Sequence, residues 1–168
     1  MDFETGKQED KLEVVSLIRT SKYSNNIQER LFEKINKIKK INLSEMTQLN
    51  SESFEPILKK AESLESLNLN GCTNINGKII PSIATSIQTL ELSHTNITDI
   101  DIRQNFSRFK LLSSLDLSFC SFLSSKFVAF LNLNVLESLS FSDCPKITPT
   151  VVNHFSKGII FFFLKIKN

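Results

Sequence analysis

The chain has 168 residues, with 20 Lys plus Arg against 18 Asp plus Glu, so its formal charge of +2 excludes a strong field of either sign and its length leaves room for one domain. At this size a folded chain buries roughly 70% of its unfolded surface, and 40% hydrophobic with 23% charged residues is ordinary globular composition, so no disulfide or metal staple is required. The longest apolar run, 159–164, falls well short of the roughly 20 residues of a membrane span. Met1 opens into a polar run over 2–11 rather than a basic-then-apolar leader, and the cysteine count of 3 is odd. These features predict a cytoplasmic protein, the nucleus being the alternative compartment, with no membrane association. Residues 1–37 read as a polar tail, an apolar-periodic stretch over 12–18, a polar loop, and a helix over 27–38 in which Leu31, Phe32, Ile35 and Ile38 recur at helical spacing. Two readings stand here: a helical N-terminal cap, or a degenerate repeat in which Leu12, Val15 and Leu17 follow the template described next.

From residue 38 the chain repeats itself. Apolar residues at relative positions 1, 4 and 6 recur as Ile38, Ile41, Leu43; Leu64, Leu67, Leu69; Ile87, Leu90, Leu92; Leu112, Leu115, Leu117; and Leu136, Leu139, Phe141. The fourth-position residues are 26, 23, 25 and 24 apart. All three cysteines, Cys72, Cys120 and Cys144, fall at position 9, where Thr95 and Met46 stand in the third and first copies. The passages LESLNLNGCTNI, LSSLDLSFCSFL and LESLSFSDCPKI therefore resemble the cysteine-containing leucine-rich repeat family, as found in F-box and leucine-rich-repeat ubiquitin ligase receptors. The resemblance covers residues 38–157 and implies a non-enzymatic substrate-binding role in ubiquitin-dependent protein degradation, with a cullin-ligase adaptor as a further partner. An F-box opens with a Leu-Pro pair, whereas the first proline of this chain, Pro56, already lies within the repeats.

Alternation at positions 4 and 6 predicts a short strand with one core face, and a small residue at position 9 suits the inside of the following turn. The second half of each unit reads as a helix or helical turn: 79–86 with Pro81 early, 100–109 with Asp99 near its start, 126–131, and 149–155 behind the cap Thr148. Strands stack about 4.8 Å apart and helices about 10 Å, so the array must curve with its strands inside. The predicted fold is an α/β leucine-rich repeat solenoid, a short horseshoe with parallel strands on the concave face and helices on the convex face. It holds five repeats over 38–157 and an unfinished sixth strand over 158–168, where Phe161, Leu164 and Ile166 restart the template. That apolar strand predicts either a shortened product of a longer array or a second chain packed against it.

Chemistry is not signalled. The glycines at 6, 71, 77 and 158 make no phosphate loop, and His94 and His154 lack metal-ligand spacing, so no cofactor and no catalysis are expected. The register buries all three thiols, which opposes a reactive cysteine, and Cys120 and Cys144 occupy equivalent places with parallel Cβ directions that suit two thiols better than a bridge. Positions 2, 3, 5, 7 and 8 are left to form the concave surface, where six acids (Glu45, Glu65, Glu91, Asp116, Glu137, Asp143) oppose Lys39 and Lys40. An acidic inner face on a weakly basic chain predicts a protein or peptide partner with basic segments and repels nucleic acid. The candidate contact residues are Glu65, Asn68, Glu91, His94, Asp116, Phe119, Glu137 and Asp143, with Phe119 as the apolar anchor.

Overall fold

The structure, a computed structural model, describes residues 35–149 and Val151. The readings for 1–34, for most of 149–155 and for the strand over 158–168 lie outside the described residues. Of the helix expected over 27–38, residues 35–37 are described and helical. Five strands follow in chain order: β1 (Lys40–Asn42), β2 (Ser66–Asn68), β3 (Thr89–Glu91), β4 (Ser114–Asp116) and β5 (Ser138–Ser140). They form one parallel sheet in the order β1-β2-β3-β4-β5, so each repeat pairs only with its neighbours, as in a solenoid of leucine-rich repeats.

Each strand is positions 3 to 5 of the template, and the register aligns Ile41, Leu67, Leu90, Leu115 and Leu139 in one row. None of these is more than 2% exposed, and Leu43, Leu69, Leu92, Leu117 and Phe141 form a second buried row beside them. Each such side chain contributes about 1.5–3 kcal/mol by leaving water. The ladder outlasts the strands: the N–H groups of positions 6 and 8 donate across to the next repeat, as Leu43 to Asn68 and Glu45 to Asn70 at 2.9 and 2.7 Å. The same pair of bonds recurs down to Leu117 and Phe119, which donate to Ser140 and Ser142.

The convex half departs in detail from the expected helices. Besides residues 35–37, two described segments are α-helical, α1 (Ser51–Leu58) and α2 (Asp99–Asn105), whereas Gly77–Ser82, Phe106–Arg108 and Ser125–Phe130 are 3₁₀. A 3₁₀ helix rises about 2.0 Å per residue against about 1.5 Å, so six residues cover roughly 12 Å of return path where an α-helix would cover about 9 Å. The short repeats use the tighter winding for that reason. Helix α1, with Pro56 inside it, has no counterpart in the sequence reading; its signal is Asn50, whose Oδ1 accepts from the Ser53 N–H at 2.9 Å as an N-cap.

A second inter-repeat ladder runs through these helix starts. The first helical residue of one repeat accepts from the N-cap N–H of the next: Ser51 Oγ from Asn76, Asp99 Oδ1 from Ser124 and Ser125 Oγ from Thr148, each at 2.9 Å. Gly77 has no side chain to offer Thr98, and there the Asp101 carboxylate takes over, accepting from the Thr98 N–H at 2.8 Å within a capping box. A Cβ on Gly77 would stand 1.8 Å from Asp101 Cγ. Farther round the convex side, the Arg108 guanidinium donates to the carbonyls of Pro81 and Ile83 and lies over the Phe109 ring, tying the third repeat to the second.

The cysteines supply a third tie. Cys72, Cys120 and Cys144 are free and buried, and their thiols donate to the position 6 carbonyls of the preceding repeats, Leu43, Leu92 and Leu117, at 3.1, 3.3 and 3.2 Å. Thr95 instead turns its hydroxyl to the Leu92 carbonyl of its own repeat at 2.6 Å. Burial pushes the Cys120 thiol up to about 11 and the Cys144 thiol up to about 12, well away from a reactive thiolate.

Two outcomes are expected. Asp101→Ala removes the cap acceptor and lowers stability by about 1 kcal/mol, and adding Gly77→Ser restores part of it, because serine can serve Thr98 as Ser51 and Ser125 serve their neighbours. Denaturant melts of the three chains check this; a double variant less stable than Asp101→Ala alone would contradict the ladder. Iodoacetamide at neutral pH is expected to leave Cys120 and Cys144 unmodified in the folded chain and to label all three thiols once it is unfolded, as read by mass spectrometry.

The concave face as candidate interaction surface

The side chains that flank the buried row point to the open side of the sheet. In position 5 they first serve the backbone. Oδ1 of Asn42, Asn68 and Asp116 accepts from the N–H two residues on, in Ser44, Asn70 and Ser118, at 3.0, 2.9 and 2.9 Å. Asn and Asp have the reach for this local turn. Glu91, one methylene longer, does not make it; the Ser93 N–H is met by Asn70 Oδ1 of the preceding repeat at 2.9 Å. The Asn68 and Asn70 amides in turn donate to Glu91 Oε2 at 2.8 and 2.9 Å.

The electrostatics concentrate in the middle of the sheet. Glu91 and Asp116 are register partners on β3 and β4. Burial, and then the Asp116 charge, push the Glu91 carboxyl above its usual 4.5, against the Asn70 amide, which holds it down. Glu65 is different: it stands at a strand entrance and pairs with Lys39 at 2.8 Å, an exposed bridge that contributes under about 1 kcal/mol.

Position 8 carries a backbone feature that the sequence reading did not reach. Glu45, Gly71, His94, Phe119 and Asp143 all have positive φ, between 55° and 75°. In the first four repeats the left-handed residue makes the last ladder bond, and a bulky Phe is disfavoured there. Gly71, and Asp143 at the same place, were the available signal, since these residue types tolerate that conformation. The rings of His94 and Phe119 stack with centroids 4.2 Å apart and 8° between planes, and Phe119 remains 44% exposed.

The structure thus gathers Asn68, Glu91 and Asp116 in one row across three strands, and His94, Phe119 and Asp143 in one column at the strand exits. Glu65 and Glu137 lie at strand entrances of the second and fifth repeats, apart from these groups. The expectation that position 7 is surface fails in the third and fourth repeats, where Ser93 and Ser118 are 7% and 6% exposed; Gly71 at position 8 is buried as well. The cause is the neighbouring side chains: Asn70 reaches over to the Ser93 N–H at 2.9 Å, and the Ser118 hydroxyl meets that of Ser140 at 2.6 Å. Among the described residues no group of His, Cys, Asp and Glu is arranged to hold a metal, and no helix is long and apolar enough to cross a membrane.

Comparison with known proteins places this fold. No family model matches the chain, and no curated protein matches it in sequence. Among solved structures, the crystal structure of the Rad7 and Elc1 complex in yeast contains a chain with a TM-score of 0.54 and 24% identity. That match covers 66% of this chain and only 31% of the other. A tropomodulin C-terminal domain from Caenorhabditis elegans matches with a TM-score of 0.57 at 14% identity, covering 84% of this chain and 87% of that one. Both are likenesses of fold.

Asp116→Asn keeps the acceptor for Ser118 and removes the charge beside Glu91, so Glu91 is expected to titrate at lower pH. The sign follows from the raised folded value: the folded chain binds this proton more readily than the unfolded one. Glu91's contribution to stability is therefore present at acid pH and lost as pH rises from 4.5 through the raised value. Side-chain carboxyl NMR titration of Glu91 in both chains checks it, and identical curves would mean that the two carboxylates do not interact.

Proposed function

We propose that this chain is a non-enzymatic protein-recognition module that binds a partner through its concave face. The observation that carries this reading is a sheet whose inner rows are sealed by the convex half while its open face bears the Glu91 and Asp116 carboxylates and the exposed Phe119 ring. Acids at the middle of that face favour a protein or peptide with basic segments over nucleic acid. The contact set is Glu65, Asn68, Glu91, His94, Asp116, Phe119, Glu137 and Asp143. The resemblance of the cysteine-containing repeats supports a finer reading: the module is the substrate-binding part of an F-box-type ubiquitin ligase receptor, with a cullin-ligase adaptor as a second partner. The likeness to a chain from a Rad7 and Elc1 complex agrees with use of such a fold in a complex of two proteins.

A second reading, a repeat scaffold in signalling or the cytoskeleton without a ubiquitin link, draws on the tropomodulin C-terminal domain. That likeness extends over 87% of the other chain, a whole domain rather than a portion.

Affinity capture separates these readings. The tagged chain is compared with a Ser66→Arg/Ser138→Arg variant, which sets long side chains on the open face of β2 and β5. Loss of a partner in the variant at an unchanged melting temperature is the expected result, and a partner set indifferent to it would sink the concave-face assignment. Recovery of a cullin and its adaptor supports the ligase reading; specific partners without them favour the scaffold.

A further inference from the structure

The third and fourth repeats carry, at their strand exits, a ring pair that the backbone does not need. His94 and Phe119 stack one over the other, and Phe119 holds its exposed ring from a left-handed backbone at φ 58°. Gly71 fills the same place in the second repeat, so the fold accepts a residue with no side chain there. Three residues back, in the same two strands, lie Glu91 and Asp116. Hydrogen bonds occupy Oε2 of Glu91 and Oδ1 of Asp116. Among the described residues none reaches Glu91 Oε1 or Asp116 Oδ2, and no lysine or arginine forms an ion pair with either; the ion pairs there are Lys39 with Glu65 and Lys59 with Glu55.

We infer that the rings and the carboxylates form one docking subsite for an extended segment of a partner protein that presents an arginine beside a large apolar side chain. The arginine meets Glu91 and Asp116, and the apolar side chain lies on the His94 and Phe119 rings. This rests on the protein-recognition reading and names the partner chemistry for it. Charge complementarity selects the occupant: two carboxylates on adjacent strands, with no cation of the chain's own between them, are relieved by one guanidinium, whose forked donors bond carboxylate oxygens in fixed geometry. The spacing fits as well. Three residues of extended chain span about 10 Å; partner side chains two residues apart share one face of a strand about 7 Å apart, and the length of the arginine and the large apolar side chain covers the remainder. The buried Ser93 and Ser118 leave no bulky side chain in the interval.

Four synthetic peptides test this, identical Gly/Ser chains except for two positions, two residues apart, that hold Arg and Phe, Arg and Ala, Ala and Phe, or Glu and Phe. Each is titrated into the full ¹⁵N-labelled chain. The Arg and Phe peptide is expected to bind about tenfold or more tightly than either single-residue peptide, with amide shifts centred on Glu91, His94 and Phe119, and the Glu and Phe peptide to bind weakest. Phe119→Gly and Asp116→Asn are each expected to weaken it by about fivefold or more, with melting temperatures unchanged or raised. Glu62→Gln, the same loss of charge away from this face, is expected to leave binding unchanged. Equal affinity for all four peptides, or shifts confined to other surfaces, overturns the subsite. A captured partner that is lost with Ser66→Arg/Ser138→Arg but indifferent to Phe119→Gly and Asp116→Asn also overturns it, and leaves the broader recognition reading standing.

Discussion

Every repeat in this chain leaves polar groups that its neighbour satisfies, and the architecture follows from that dependence. The N–H groups of positions 6 and 8 find their acceptors one repeat ahead, the thiols of Cys72, Cys120 and Cys144 find theirs one repeat behind, and Ser51, Asp99 and Ser125 serve the helix caps that come next. Buried or half-buried groups of this kind cost about 1–3 kcal/mol when left unmade. The apolar rows contribute most of the driving force, and a one-residue slip would turn each of them to the open face. The three ladders fix the register, because they meet only when positions 4 of all five repeats stand in line.

The same economy shapes the open face. Short polar side chains in position 5 are committed to neighbouring N–H groups before any partner arrives, so the surface is stiff where Asn42, Asn68 and Asp116 stand. Glu91 is the exception that links fold to recognition. Too long for the local turn, it is held from one side by two amides and pressed from the other by the Asp116 charge. A carboxylate fixed in this way loses little side-chain entropy on meeting a cation, which is how preorganisation adds to affinity.

Much of the fold was legible because it rests on periodicity. The row from Ile41 to Leu139 and the cysteine column were readable as fixed spacings, and the strands fall at positions 3 to 5 as the alternation required. The convex half was less legible, since the choice between α and 3₁₀ winding at Gly77–Ser82 and Ser125–Phe130 depends on the distance to be returned, which no local pattern encodes. On the surface, composition gave the acids and Phe119 but not their engagement. That Asn70 reaches both Glu91 and Ser93 is a fact of two repeats side by side, invisible in either alone.

The left-handed residue that closes each strand has one more consequence. Glu45, Gly71, His94, Phe119 and Asp143 share a backbone conformation, and the first four share its onward hydrogen bond, while their side chains have almost nothing in common. The main chain carries the structural duty at that point, so no one side chain is required by it. The array therefore carries along one rim a row of positions where acid, ring and glycine sit on the same backbone path, each exchange limited by the left-handed conformation and, at Gly71, by the Glu45 carboxylate that an added Cβ would meet at 2.6 Å.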